Sequence, residues 1–205
     1  MVAIIDYGVG NLFSLKSSFA KIGEEAAVTN DPQAIADADR LILPGVGAFG
    51  DAADKLNSTG LAEVVKTEAA KGKPLMGICL GMQLLFDKSS EYGEHEGLGL
   101  IKGEVVPISN FIPGDYKIPH IGWNALKFTD KRSPIFKYTE EGTFVYFVHS
   151  YSAADCEDSL IATCEYGGTL TAAVADENVI GCQFHPEKSG ELGLKILKAF
   201  CEMED

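Results

Sequence analysis

The chain has 205 residues and a formal net charge of -13 at pH 7, a length that forms one sizeable domain over 1–205 and buries roughly 70% of its unfolded surface. The acidic balance excludes a nucleic-acid partner, because phosphate recognition needs a basic stripe. Met1 runs straight into a strand-like segment with no basic leader and no bilayer-length apolar run, so a cytoplasmic protein without a membrane partner is expected. Five cysteines, an odd number with no Cys-x-x-Cys pair, disfavour disulfide staples and zinc alike, and no metal or cofactor is expected.

Residues 2–5 read as a strand and 6–11 as a glycine turn. Residues 12–22 follow as a helix with apolar side chains at Leu12, Leu15, Phe19 and Ile22, and Asn11 is placed as its cap. A strand at 26–29, a short helix at 32–38 and a strand at 40–43 continue an alternation that implies an α/β fold. Gly45-Val46-Gly47-Ala48-Phe49-Gly50 then matches Gly-x-Gly-x-x-Gly after a strand, which admits a nucleotide-binding module as one reading. That fingerprint also needs an acid at the end of the next strand to hold a ribose, and the next strand ends at Ile78-Cys79. Leu61, Val64 and Val65 carry helical spacing and Gly72 stops the helix, so the crossover to a strand at 75–78 makes a parallel pair.

The stretch 73–87 sets one cysteine between two glycines: Gly77-Ile78-Cys79-Leu80-Gly81. A strand at 75–78 turns at Cys79 into a helix whose first turns are 82–86, and Gly77 and Gly81 lack the side chains that would clash in so sharp an elbow. Unpaired N–H groups at a helix start favour a thiolate and can receive an oxyanion. A lone cysteine reads as a packing residue; framed by these glycines, the packed and the presented readings weigh equally.

Residues 89–99 are polar and glycine-bearing. Strands at 100–108, 126–129 and 143–148, with a loop at 112–116, imply a β-rich second half. Trp123, the only tryptophan, could be core, and His120 has no motif partner and reads as structural. The strand at 144–148 exits into His149-Ser150-Tyr151, where backbone and the Ser150 hydroxyl could hold a carboxylate. A strand at 179–184 runs into His185-Pro186-Glu187. Pro186 holds His185 extended, and residues two apart in an extended chain share a face, so Glu187 can lie beside the imidazole and set its tautomer. His149 is the rival base, but no acid follows it. An amphipathic helix at 192–200 and an acidic tail at 202–205 close the chain.

Gly77-x-Cys79-x-Gly81 followed far downstream by His185-Pro186-Glu187 resembles the triad glutamine amidotransferases. Within that group, Asp6-Tyr7-Gly8-Val9-Gly10-Asn11, Leu43-Pro44-Gly45-Val46-Gly47, Pro119-His120-Ile121-Gly122-Trp123-Asn124, His149-Ser150-Tyr151 and Gln183-Phe184-His185-Pro186-Glu187-Lys188-Ser189 resemble the glutaminase subunits of imidazole glycerol phosphate synthases, over nearly the whole chain. The resemblance implies a three-layer fold, a largely parallel mixed central sheet flanked by helices. It implies a catalytic triad of Cys79, His185 and Glu187, with the oxyanion held by the N–H of Leu80 and one from Val46 or Gly47. Gly45, Gln83, Glu91, Ser150 and Tyr151 would bind the substrate glutamine. Asn11, Trp123, Tyr146 and Lys188 would face a (β/α)8 cyclase subunit that receives ammonia through a tunnel and gates the glutaminase. A glutaminase subunit of another synthase, such as anthranilate synthase, shares the elbow and the His-Pro-Glu and stays open as an alternative. Ile180, Cys182 and Ser152 stand where relatives often carry Phe, Thr and Tyr.

Overall fold

The computed structural model describes residues 1–131 and 133–203; Glu204 and Asp205 of the expected acidic tail lie outside the described residues. The first half runs β1 (Val2–Ile5), α1 (Leu12–Lys21), β2 (Ala26–Thr29), α2 (Pro32–Asp37), β3 (Arg40–Leu43), α3 (Phe49–Ser58), α4 (Leu61–Ala70), β4 (Leu75–Ile78) and α5 (Leu80–Gln83). The second half is β5 (Phe86–Ser89), β6 (His95–Glu96), β7 (Ile101–Pro107), β8 (His120–Ala125), β9 (Lys127–Phe128), β10 (Phe144–His149), β11 (Tyr151–Ala154), β12 (Leu160–Glu165), β13 (Thr169–Asp176), β14 (Val179–Cys182) and α6 (Gly190–Cys201). No helix among the described residues is long and apolar enough to cross a membrane.

Eight strands form the central sheet in the order β2-β1-β3-β4-β14-β13-β12-β9. The first five are mutually parallel, and β13, β12 and β9 add antiparallel strands at one side. A parallel sheet is covered on both faces, and its strands are apolar in both directions. Ala3, Ile5, Leu41, Leu43 and Leu75 pack with Ile35 of α2, Leu56 of α3 and Val65 of α4. Val2, Ile4, Ile42, Met76 and Ile78 point the other way, into Leu15 and Phe19 of α1 and Ile196 and Phe200 of α6. The period of two that alternates these sets produces the three layers. Each such Leu, Ile or Phe contributes about 1.5–3 kcal/mol by leaving water. A two-stranded β10-β8 ribbon and a four-stranded sheet, β11-β7-β5-β6, stand apart from the main sheet.

Up to β4, the expected elements match those observed to within a residue or two. Two differences lie beyond it. The helix after Cys79 is a single turn, and Phe86, expected inside it, opens β5 instead. The carbonyls of Leu84, Leu85 and Phe86 accept from Leu98, Leu100, Ile101 and Gly99 rather than from the next helical turn, and Leu84, Leu85 and Phe86 are buried by that detour. Strands β6, β8, β11, β12 and β13 carry no strand expectation; β13 is rich in small residues, Thr-Leu-Thr-Ala-Ala-Val-Ala-Asp, and is paired on both sides.

Candidate active site

Three neighbouring parallel strands aim at one edge of the sheet. Leu43 of β3 pairs with Gly77 of β4, and Ile78 of β4 pairs with Cys182 of β14, so residues 44–47, Cys79 and 183–185 all leave at the carboxyl ends, where open α/β sheets form their crevices. A cleft of about 400 Å³ lies there, within the size range of small-molecule sites. Val46, Gly47, Cys79, Leu80, Gln83, Glu91, Ser150, Tyr151, His185 and Lys188 all line it.

The elbow is tight for a steric reason. Cys79 sits at φ 55°, ψ -113°, a conformation L-residues avoid and functional sites retain at roughly 1–3 kcal/mol. A Cβ on Gly77 would lie 2.6 Å from the Gly81 carbonyl oxygen, and one on Gly81 would lie 1.8 Å from that of Leu43. The Cys79 N–H is anchored on the Cys182 carbonyl at 2.7 Å. Its sulfur is 3.8 Å from the Val148 oxygen and 3.8 Å from Gln183 Nε2. Gly45 packs behind this turn, where a Cβ would meet Gly81 N at 2.7 Å; it is buried and stands outside the residues that line the cleft. The preceding carbonyl, of Pro44, accepts from the Tyr7 hydroxyl at 2.7 Å, and burial together with the nearby Cys79 pushes the Tyr7 phenol well above its ordinary range.

His185 Nδ1 meets Glu187 Oε1 at 2.8 Å with both side chains almost fully buried. The geometry differs from the extended pair expected. His185 is extended, but Pro186–Lys188 form a 3-10 turn, because proline's fixed φ suits the first position of a helical turn, and that turn swings Glu187 back onto the ring. His185 Nε2 has no hydrogen-bond partner among the described residues, which leaves it as the ring's free proton carrier. Burial pulls the imidazole toward neutrality, but Cys79 and Glu187 outweigh it and hold the pKa at about 9. His149, the rival base, goes the other way. Burial lowers it, a bond to the Tyr151 carbonyl resists, and the charges of His120 and His185 lower it further, to about 4. Two histidines on one cleft are thereby separated into an imidazolium and a neutral ring, the pattern that distinguishes an acid–base group from its surroundings.

Glu91 is buried and its Oε2 accepts from the Phe49 N–H, the first residue of α3, at 2.6 Å. This contact also removes the nucleotide reading of 45–50. The amide at the helix start, where a pyrophosphate would bind, already holds a carboxylate, and a Cβ on Gly50 would meet the His95 ring at 2.6 Å, so that glycine answers a packing need. Gln83 Nε2 donates to the Tyr151 carbonyl at 3.2 Å and to Gln183 Oε1 at 3.0 Å. Asn11 caps α1, its side chain accepting from Ser14 N at 3.4 Å. Trp123 is 53% exposed and meets the Tyr146 ring edge-on at 6.2 Å; Lys188 Nζ is 6.0 Å from the same ring. These three form a continuous run from an open face to the cleft. Among the described residues there is no cluster of three or more His, Cys, Asp and Glu able to hold a metal ion.

Sequence reasoning missed Gln183, which touches the sulfur, and the pairing of His120 with His149 at 2.9 Å. Gln183 lay inside a motif already noticed. His120 gave no signal, because its partner is across a strand pair that had only one recognised member.

A profile of the family "Glutamine amidotransferase class-I" matches residues 3–203. The chain is 49% identical to the imidazole glycerol phosphate synthase subunit HisH of Wolinella succinogenes, covering 99% of this chain and 100% of that protein. It is 52% identical to the subunit of the same name from Sulfurimonas denitrificans, covering 98% and 97%. Among solved structures it resembles a glutamine amidotransferase (TM-score 0.75, 18% identity, 98% of this chain and 100% of that one) and PurLQS from Thermotoga maritima (TM-score 0.75, 21% identity, 98% and 96%). The last two speak to the fold.

Proposed function

The chain belongs to the class-I glutamine amidotransferases, in the branch of the imidazole glycerol phosphate synthase HisH subunits, and from that premise we propose that it splits glutamine through Cys79 and passes the ammonia to a cyclase partner in histidine biosynthesis. The observation that carries the reading is the meeting, at one sheet edge, of a strained cysteine and a histidine whose other nitrogen is bound to a buried glutamate. HisH relatives of about half-identical sequence over the full length favour this branch over a glutaminase serving anthranilate synthase.

In the proposed reaction the Cys79 thiolate adds to the side-chain amide carbon of glutamine. The carbonyl becomes an oxyanion, received by the Leu80 N–H and one from Val46 or Gly47; donors of this kind are worth roughly 3 kcal/mol each. His185, protonated at neutral pH and free at Nε2, gives its proton to the departing nitrogen, and ammonia leaves a glutamyl thioester. The now neutral ring takes a proton from water, the hydroxide adds to the thioester, and glutamate departs as the thiolate returns. Glu187 keeps Nδ1 as the donor nitrogen and stabilises the imidazolium without exchanging a proton, as the acid of a serine hydrolase triad does. Gln83, Glu91, Ser150 and Tyr151 would hold the substrate, Ser150 and Tyr151 at its α-carboxylate; Gly45 supports the site from behind by allowing the close approach of the elbow.

Ammonia released into water becomes mostly ammonium and is lost as a nucleophile, so a glutaminase site of this kind calls for an acceptor-binding partner docked over the cleft. We assign that place to the (β/α)8 cyclase subunit. The test is glutamate production from glutamine by the chain alone, with the cyclase, and with the cyclase plus its sugar phosphate ligand. Little turnover alone and much more with both is expected; equal stimulation by the large subunit of anthranilate synthase would overturn the pathway.

A further inference from the structure

Two buried histidines pair beside the cleft, His149 among the residues that line it, and no step above uses either. His120 and His149 are direct cross-strand partners of β8 and β10, 2% and 5% exposed, with His120 Nδ1 and His149 Nε2 2.9 Å apart. Their proton positions are dictated by what surrounds them. The Tyr151 carbonyl, 2.7 Å from His149 Nδ1, can only accept, so the proton sits on Nδ1. A neutral His149 then presents a bare Nε2, and His120 Nδ1 must donate to it. Burial keeps His120 neutral as well, so its Nε2 accepts, from Asn124 Nδ2 at 3.3 Å. Asn124 cannot turn its amide over, because Oδ1 accepts from the Ala125 N–H at 2.8 Å and Nδ2 also donates to the Glu165 carbonyl at 2.8 Å. Only one direction satisfies every atom: Asn124 to His120 to His149 to the Tyr151 oxygen.

The end of this chain is the main chain beside the cleft. The Ser150 carbonyl accepts from Ile108 N at 3.0 Å, and the Tyr151 carbonyl accepts from His149 and from Gln83. A peptide unit is planar, so holding its carbonyl holds its N–H as well, and both peptides flanking Tyr151 are thereby fixed.

We propose that His120 is a positioning residue for glutamine: by donating to His149 it locks the imidazole that holds the Tyr151 carbonyl, and so pins Tyr151 between that peptide and the Ser150 carbonyl held by Ile108, where the main chain receives the substrate α-carboxylate. The proposal rests on the glutaminase reading. His120 lies between the rings of Phe147 (centroids 5.0 Å apart, 22°) and Tyr166 (4.1 Å, 24°), so phenylalanine keeps an aromatic ring in the stack, one ring atom larger, and removes both nitrogens. Asparagine places an amide N–H near the position of Nδ1 and restores the donor.

The test measures kcat and KM for glutamine in the complex with the cyclase and its sugar phosphate ligand, for wild type, His120→Phe and His120→Asn. Loss of one buried donor predicts a KM about tenfold higher in His120→Phe with kcat within about threefold, and recovery of KM in His120→Asn. A KM less than about fivefold raised, a loss confined to kcat, or equal damage in both variants overturns the proposal. An inactive wild-type complex overturns the glutaminase reading itself. Independently of any variant's folding, nitrogen NMR of the wild-type protein at pH 7 must show both rings protonated at Nδ1 and bare at Nε2; the opposite tautomer in either ring overturns it.

Discussion

At the residue scale the site is governed by how one cleft keeps His185 charged and His149 neutral. If His185 is the acid that releases ammonia, kcat/KM for glutamine should fall as pH rises through about 9, because the neutral ring cannot protonate the leaving nitrogen. Glu187→Gln removes a carboxylate that holds the proton on the ring, so the alkaline limb and the imidazole titration seen by NMR should both move to lower pH; an unmoved limb would assign it to another group. Cys79→Ser should retain the fold and lose about 10³-fold or more of the glutaminase rate, since without the thiolate only binding and oxyanion donors remain. The two histidines also act oppositely on stability. The raised pKa of His185 contributes stability in full below its ordinary 6.5 and loses it as pH rises through about 9. The lowered values of His149 and His120, about 4, contribute above 6.5 and lose their contribution as pH falls from 6.5 toward 4. Urea midpoints should therefore decline on both sides of neutrality, and His120→Phe should flatten the acid side. Cys79, His185 and Glu187 were legible because glycine spacing and a His-Pro-Glu run are local patterns. The separation of the histidines' charges was not, because it arises from burial and from groups brought in from far along the chain, Cys79 on His185 and His120 and His185 on His149.

At the element scale, the elbow makes a contrast that steric reasoning can settle. Gly81→Ala would drive a Cβ into the Leu43 carbonyl at 1.8 Å with the Pro44 carbonyl carbon at 3.1 Å; both are main-chain atoms at the end of a central strand, not the tip of a flexible side chain that could move aside. A loss of about 3 kcal/mol or more is expected in denaturant melts. Gly60→Ala meets open space and is strained only by its φ of +74°, so it should lose about 1–2 kcal/mol. Comparable losses in the two would mean that the elbow has room to relax. The same elements show what local pattern can and cannot reveal. Strands β1 to β4 were readable because each is a short apolar run closed by a turn or a helix. Helix α5 was overextended because Leu84, Leu85 and Phe86 suit a helix as well as a strand, and what decides between them is pairing with residues 97–101. Strands β12 and β13 mix threonine and alanine with few large apolar side chains, so their identity comes from neighbours on both sides.

At the scale of the whole molecule, the proposed function requires the cleft to be covered by another protein, and one face is suited to it. On the antiparallel β10-β8 ribbon, Ile121, Trp123 and Phe144 are 57%, 53% and 53% exposed, an apolar group larger than a scatter of single residues and lying next to Tyr146 and Lys188, which reaches the cleft. Exposed clusters of this kind mark docking surfaces, and tryptophan is the residue most often found to dominate them. Trp123 is the only tryptophan in the chain, so its emission reports this face and nothing else. Adding the cyclase, chosen without tryptophan at its own contact, should shift that emission to shorter wavelength as the indole leaves water. Trp123→Glu should weaken the complex by about thirtyfold, equivalent to roughly 2 kcal/mol at a dominant contact, while leaving the thermal melt of the isolated chain unchanged. An unshifted emission together with a wild-type affinity in Trp123→Glu would place the cyclase elsewhere, and the assignment of Trp123, Tyr146 and Lys188 to the partner-facing side would fall with it.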